Sequence, residues 1–216
     1  MADPTADARK QFNRWSRYYD RDPLQPLLFR PSHDMLLDSW RAEDRLVLDI
    51  GCGTAQFAAR LASSFPRARV LGYDLSSLML ARGRGRCATL PDQVQFVQGD
   101  SERLPFPDSM FDVVTCTHSF HHYPRQRLVV DEMHRVLRPG GRAMIIDGDK
   151  DRWWGRLLFD GLVVFMEGPV RHLSARQLSK LLGQAGFTAI QQRRRGGPLP
   201  FLCTIGQTVK KRKAAG

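Results

Sequence analysis

Between Leu46 and Asp147, short β-branched or apolar runs alternate with longer amphipathic segments, and this rhythm restricts the possible folds more than any other feature. Strands separated by helix-length segments imply βαβ units, because a parallel neighbour is reached only through a crossover. Leu46-Val47-Leu48-Asp49-Ile50 is too short for a helix and runs into Gly51-Cys52-Gly53, so it reads as a buried strand entering a tight turn. Residues 54–65 then read as a helix with Phe57, Leu61 and Phe65 on one stripe. Further strands are expected at Arg69–Asp74, Val94–Val97, Phe111–Cys116 and Arg142–Ile146. Ser76 is a fitting cap for the helix carrying Leu78, Met79 and Ala81. A helix from about Arg125 to Leu137 should stop at Arg138-Pro139-Gly140-Gly141. Ser174 to Ala185 reads as an amphipathic helix, and Phe187–Gln192 with Leu202–Val209 as a closing antiparallel pair. The sum is an α/β fold, a mostly parallel seven-stranded sheet with helices on both faces.

With 216 residues and 42% hydrophobic side chains the chain suits one folding unit. Residues 1–45 show aromatic, helix-like segments and no strand pattern, which predicts a helical cap ahead of a domain at 46–216. An apolar stretch at about 152–173, rich in Trp153, Trp154, Leu157, Leu158 and Phe159, reads as a helical insertion that either covers the site as a lid or packs. No apolar run reaches the roughly 18 residues that span a bilayer, and Met1 to Asp7 lacks the features of a leader, so a soluble, cytoplasmic protein is expected. Cys52, Cys87, Cys116 and Cys203 have neither metal-site nor disulfide spacing, and no metal is predicted.

The net charge of +11 invites a nucleic-acid or membrane reading, but only six of the 33 basic residues are Lys and the Arg are spread along the whole chain. Three clusters stand out: Arg82 to Arg86, Arg193 to Arg195, and Lys210 to Lys213. Each reads most simply as a solvated surface.

In an open parallel sheet, ligands bind at the carboxyl ends of the strands near the switch in strand order. Gly51 and Gly53 end the first strand, where the lack of a side chain lets backbone approach a ligand. Asp74 ends the second strand and can accept both hydroxyls of a ribose, while Asp100 after the third can accept from an exocyclic amine. Adenosine supplies both the diol and the amine. A dinucleotide would favour Gly at the sixth position of G-x-G-x-x-G, and Gln56 stands there, which turns the reading toward an adenosyl ligand without phosphate.

Val47-Leu48-Asp49-Ile50-Gly51-Cys52-Gly53-Thr54, Gly72-Tyr73-Asp74-Leu75-Ser76, Gly99-Asp100-Ser101-Glu102-Arg103-Leu104-Pro105-Phe106, Phe111-Asp112-Val113-Val114 and Arg135-Val136-Leu137-Arg138-Pro139-Gly140-Gly141 resemble the successive motifs of class I S-adenosylmethionine-dependent methyltransferases. The nearest resemblance is to the group that includes ubiquinone and menaquinone C-methyltransferases, and it covers about residues 46–147. It implies a Rossmann-like domain that binds S-adenosylmethionine and releases S-adenosylhomocysteine. By that resemblance Asp49 binds the methionine amino group, the backbone of Gly51, Cys52 and Gly53 approaches the methionyl part, and Asp74 holds the ribose. Leu75 and Met79 pack on the adenine, although ordinary core is an equal reading, while Asp100 and the Ser101 backbone meet its polar edge. Thr117 lines the methionyl end. Tyr18 and Tyr19 resemble an N-terminal lid, with a structural aromatic cluster as the plainer alternative.

Methyl transfer requires in-line alignment, and a general base only if the nucleophile arrives protonated. His121 and His122, in Thr117-His118-Ser119-Phe120-His121-His122-Tyr123, are the candidates for that base, against a reading in which they stabilise the helix start. Glu167 and His172 border the apolar stretch and are weaker candidates for substrate contact. A small, hydrophobic or aromatic acceptor is expected, and peripheral membrane contact stays open. A nucleic-acid methyltransferase is disfavoured because Thr117-His118-Ser119-Phe120 lacks the Pro-Pro-aromatic segment that grips a flipped base. A non-catalytic S-adenosylmethionine-binding module is the other alternative. The sequence is silent on the acceptor's identity, the atom methylated and oligomeric state.

Overall fold

The computed structural model describes residue 13 and residues 25–163, 170–197 and 199–210, the side chains of residues 25–28, 160, 162 and 163 apart. Trp15, Tyr18, Tyr19, Glu167 and most of the Lys210 to Lys213 tail therefore lie outside the described residues. Along the chain run α1 (Gln25–Leu37), β1 (Leu46–Ile50), α2 (Gln56–Ser64), β2 (Arg69–Asp74), α3 (Ser77–Arg86), β3 (Val94–Gln98) and β4 (Phe111–Thr117). A 3-10 turn (Phe120–His122), α4 (Gln126–Val136), β5 (Leu137–Gly148), α5 (Trp153–Leu157), a π-helical turn (Leu158–Val163), α6 (Ala175–Gln184), β6 (Thr188–Arg195) and β7 (Phe201–Gln207) follow.

The strands form one seven-stranded sheet in the order β3-β2-β1-β4-β5-β7-β6, in which β7 pairs antiparallel with both neighbours and every other pairing is parallel. Successive side chains of a strand point to opposite faces, and here both faces are apolar because helices cover both. Leu48 and Ile50 of β1, Val114 and Cys116 of β4, and Ile145 of β5 pack with α4 and α6 through Val129, Met133, Leu178 and Leu182. Val47, Val113, Met144 and Ile146 pack on the opposite face with Leu36 of α1 and with Phe57, Ala58 and Leu61 of α2. Full burial of each such aliphatic side chain contributes about 1.5–3 kcal/mol. The strand order reverses between β1 and β4, which opens a crevice at their carboxyl ends.

Local signals hold at several ends. The Ser76 side chain accepts from Met79 N at 3.2 Å, and Ser174 and Gln177 form a reciprocal capping box. The helix after Gly53 is shorter than expected, Gln56–Ser64, because Ala55 ahead of it takes a left-handed conformation at φ 60°. Thr117 is the last residue of β4 rather than a residue beyond it. The expected stop at residues 138–141 is instead a break inside β5. Leu137 already pairs with Phe111, the register then jumps to Val113–Arg142, and Gly140 at φ 82° absorbs the excursion. Strand β6 runs on through Arg193 to Arg195, and all but one of its residues are exposed, as its edge position permits. Among the described residues no helix is long and apolar enough to cross a membrane.

Candidate functional site

A cavity of about 280 Å³ occupies the crevice. Its first end is built from strand termini. Gly51, Cys52 and Gly53 after β1, Asp74 and Leu75 after β2, Met79 on α3, and Asp100 and Ser101 after β3 all line it. Asp74 Oδ2 accepts from the Gly53 backbone N–H and Oδ1 from that of Ser76, both at 2.8 Å, so the carboxylate ties the two loops together and faces the cavity. Burial raises the Asp74 carboxyl above its ordinary value, and these backbone donors pull against that rise. At Gly53, φ 53°, a Cβ would have no neighbour within 4 Å among the described residues. Gly51 differs: a Cβ there would lie 2.4 Å from Ser119 Oγ and 2.7 Å from Tyr123 Oη. The missing side chain at Gly51 thus makes room for Ser119 and Tyr123, while Gly51 itself lines the cavity.

Asp49 sits deeper, 1% exposed, within β1 and off the cavity wall. Its Oδ1 accepts from Thr115 Oγ1 at 2.7 Å, while its buried Oδ2 has no hydrogen-bond partner among the described residues. Burial pushes this carboxyl up to about 7, with the Thr115 hydrogen bond opposing and the nearby Asp74 charge adding. An orphaned buried carboxylate oxygen is costly, and a cationic group is what would satisfy it.

The second end is rich in imidazole. Of the six histidines in the chain, His33, His118, His121, His122 and His172 line the cavity, among the rings of Phe29, Phe159 and Phe201. His121 and His122 form the 3-10 turn after β4. His121 Nδ1 lies 2.7 Å from Asp147 Oδ1, and the His121 backbone N–H donates to Asp147 Oδ2 at 3.0 Å. The His172 ring stacks on that of His121 at 4.2 Å and 18°, with Nε2 3.7 Å from the same Asp147 oxygen. Burial pushes the Asp147 carboxyl up, but His121 first, then His172 and His118, outweigh it and hold the carboxyl below its ordinary range. Burial lowers His33 to about 3 and His118 to about 4, and holds His122 well below 6.5. These rings are neutral at physiological pH. His118 is also in the left-handed region at φ 52°, a conformation that costs about 1–2 kcal/mol and is held by Ser32 Oγ at 2.6 Å and by the rings of Phe29 and Phe201.

His121, Asp147 and His172 have the composition of a metal-ligand set, and their ligating atoms lie within 4.8 Å of one another. Ring geometry argues against coordination. An imidazole lone pair lies in the ring plane, so two rings stacked 18° from parallel aim their lone pairs side by side and not at a common point. A carboxylate shared by stacked imidazoles suits proton handling better.

The structure thus brings the cofactor candidates Gly51, Cys52, Gly53, Asp74, Leu75, Met79, Asp100, Ser101 and Thr117 into one cavity with His121 and His122. Tyr19 lies outside the described residues. Sequence reasoning did not single out Asp147, His33 or His118. Asp147, near the end of the fifth strand, and His118, just after the fourth, could have been found by the rule that marked Asp74, whereas His33 joins the site only through packing of α1.

Residues 47–141 match the family described as methyltransferase domain. Over these residues the chain is similar to methyltransferase domains. The chain is 37% identical over 103 residues to a demethylmenaquinone methyltransferase of Deinococcus radiodurans, covering 48% of this chain and 43% of that protein. It is 38% identical over 143 residues to a fatty-acid O-methyltransferase of Mycolicibacterium smegmatis, covering 63% and 48%. The chain spans about half the length of the curated relatives it matches. The fold is shared with magnesium protoporphyrin IX methyltransferase from Synechocystis, solved with bound S-adenosylhomocysteine, at a TM-score of 0.73 and 18% identity over 94% of this chain and 99% of that one.

Proposed function

We propose that the chain is an S-adenosylmethionine-dependent methyltransferase acting on a small, hydrophobic or aromatic acceptor. The observation that carries this reading is one cavity whose strand-end carboxylates and open Gly53 lie at one end and whose histidines and phenyl rings lie at the other. The first end fits the cofactor. The orphaned Asp49 Oδ2 suits an ammonium group, Asp74 has lone pairs left for ribose hydroxyls, and Leu75 and Met79 offer an apolar wall for adenine. Relatives that act on demethylmenaquinone and fatty acids, by their names, support a lipophilic acceptor.

When bound, the sulfonium supplies an electrophilic methyl group. The chain's own residues align the acceptor and keep the site dry, with Phe159 and Phe201 as apolar walls. His121 is the general base. Held as a donor from Nδ1 to Asp147, its neutral form has the lone pair on Nε2, and that atom takes the proton of a hydroxyl or acidic carbon. Asp147 acts through His121 as a positioning residue, and its charge stabilises the imidazolium that results. His122, held neutral, contributes shape and hydrogen bonding rather than basicity.

Calorimetric titration tests the cofactor. S-adenosylmethionine should bind with micromolar affinity and NAD should give no heat. Asp74→Ala should weaken binding about a hundredfold, the loss of one or two charge-assisted hydrogen bonds. Absence of heat with both S-adenosylmethionine and S-adenosylhomocysteine would overturn the reading.

A further inference from the structure

Helix α5 leaves Trp153 74% exposed and Leu157 67% exposed, one helical turn apart on one face. Single exposed apolar residues are ordinary, but a Trp and a Leu side by side on a short helix form a patch. The surroundings are basic. The sequence from 150 to 160 carries Lys150, Arg152 and Arg156 against Asp151 and Asp160, and Asp151 is already paired with Arg194. The Arg152 guanidinium lies 4.9 Å over the Trp154 ring and 3.8 Å from where a Cβ on Gly196 would stand. That proximity sets α5 beside the exposed end of β6, which adds Arg195 to the rim. Two residues beyond Leu157, Phe159 is buried, packs on His172 at 4.9 Å and lines the cavity. One short segment therefore carries an exposed apolar pair and a wall of the cavity's histidine end.

We propose that α5 is a docking face for an anionic membrane surface, with Trp153 and Leu157 seated at headgroup depth and Arg152, Arg156 and Arg195 on lipid phosphates. Tryptophan favours the bilayer interface, and Arg or Lys beside an anionic leaflet adds attraction. A protein partner needs a burial of about 1,000 Å², more than the exposed apolar pair among the described residues offers, whereas shallow insertion needs no more than this pair. The net charge of +11 acts in the same direction at long range. Docking there sets the cavity's histidine end beside the bilayer, where a lipophilic acceptor enters. This entry role rests on the methyltransferase reading, while docking itself does not.

The test is flotation of the full chain with phosphatidylcholine vesicles, with and without phosphatidylglycerol, at low and high salt. The chain should float with the anionic vesicles only and be released by salt. Trp153→Ser with Leu157→Ser should lower partitioning at least about tenfold, and Arg152→Gln and Arg156→Gln about fivefold each. Titration with S-adenosylmethionine on the same variants should match wild type, which separates a failure of docking from a failure of the cofactor reading. Three results would overturn the proposal: no anionic binding, binding insensitive to Trp153 and Leu157 but abolished by neutralising Lys210 to Lys213, or self-association in sedimentation that the Trp153 and Leu157 substitutions dissolve.

Discussion

Asp49 offers the sharpest test, because the features that suit it to a cation make it a burden to the empty fold. Its carboxyl is raised from 3.8 to about 7, so the folded chain holds that proton more tightly than the unfolded one. The sign follows: its contribution favours the fold at acid pH and is lost as pH rises from about 4 through about 7. At about 1.4 kcal/mol per pH unit, ionised Asp49 costs the empty protein about 4 kcal/mol above neutrality. Asp49→Asn removes the charge and can still accept from Thr115, but it buries an amide N–H pair that costs about 1–3 kcal/mol. The net expectation near pH 8 is a gain of about 1–3 kcal/mol. For a chain of this size that raises Tm by roughly 5 °C. Near pH 5 wild-type Asp49 is already neutral, and the variant should be equal or slightly less stable. Ligand offsets or reverses that gain, since about 100-fold excess over Kd stabilises wild type by about 2.7 kcal/mol and should do little for the variant. Thermal melts at both pH values, with and without S-adenosylmethionine, measure all four quantities. A variant destabilised near pH 8 yet stabilised by ligand as strongly as wild type would refute both the burial cost and the assignment.

Further tests follow from the other end of the cavity and from its loops. Asp147→Asn should lower kcat about 10- to 100-fold with little change in cofactor affinity, and should move the acid limb of the pH–rate profile downward because the imidazolium loses its counter-charge; a uniform fall with an unmoved limb would contradict the positioning role. His121→Gln should cost about 100-fold or more, and His122→Gln far less. Gly51→Ala places a methyl 2.4 Å from Ser119 Oγ and should destabilise by several kcal/mol, at least about 3, whereas Gly53→Ala meets no atom and should cost about 1 kcal/mol of fold while weakening cofactor affinity, as denaturant melts and calorimetry would read. Exhaustive chelation should leave turnover unchanged if the stacked rings of His121 and His172 handle protons, and recovery of a lost rate on adding zinc or iron would reverse that assignment.

The strands were legible because a buried parallel sheet writes itself as apolar runs ended by Gly or Asp, and β1 to β5 with Gly53, Asp74 and Asp100 at or just past strand ends were read from that pattern, whereas Asp49 came only from the family resemblance. Ser76 and Ser174 were legible for a local reason, since a cap contacts its own first turn. The break in β5 was not. Pro139 and Gly140 signal the same punctuation whether a helix ends or a strand bulges, and pairing of Leu137 with Phe111 decided it. The histidine end was only half visible. His121 and His122 are neighbours in sequence, but Asp147 of β5, His33 of α1 and His172 of the loop before α6 join them from three separate parts of the chain, a conjunction that periodicity does not record.

The charge of the whole cavity separates the two cofactors that the glycine loop leaves open. Asp74 and Asp147 line it, Asp49 lies just behind it, and burial keeps His33, His118 and His122 neutral. An anionic pyrophosphate placed among those carboxylates would face repulsion that no neutral imidazole offsets. A ligand carrying an ammonium and a sulfonium, as in the proposed function, would meet the opposite field, to which the buried Asp49 behind the cavity adds. Gln56, which made a dinucleotide doubtful from the turn alone, points the same way as this charge argument for the proposed cofactor, and an Asp49→Asn, Asp147→Asn double variant should narrow the gap between S-adenosylmethionine and NAD from the adenosylmethionine side.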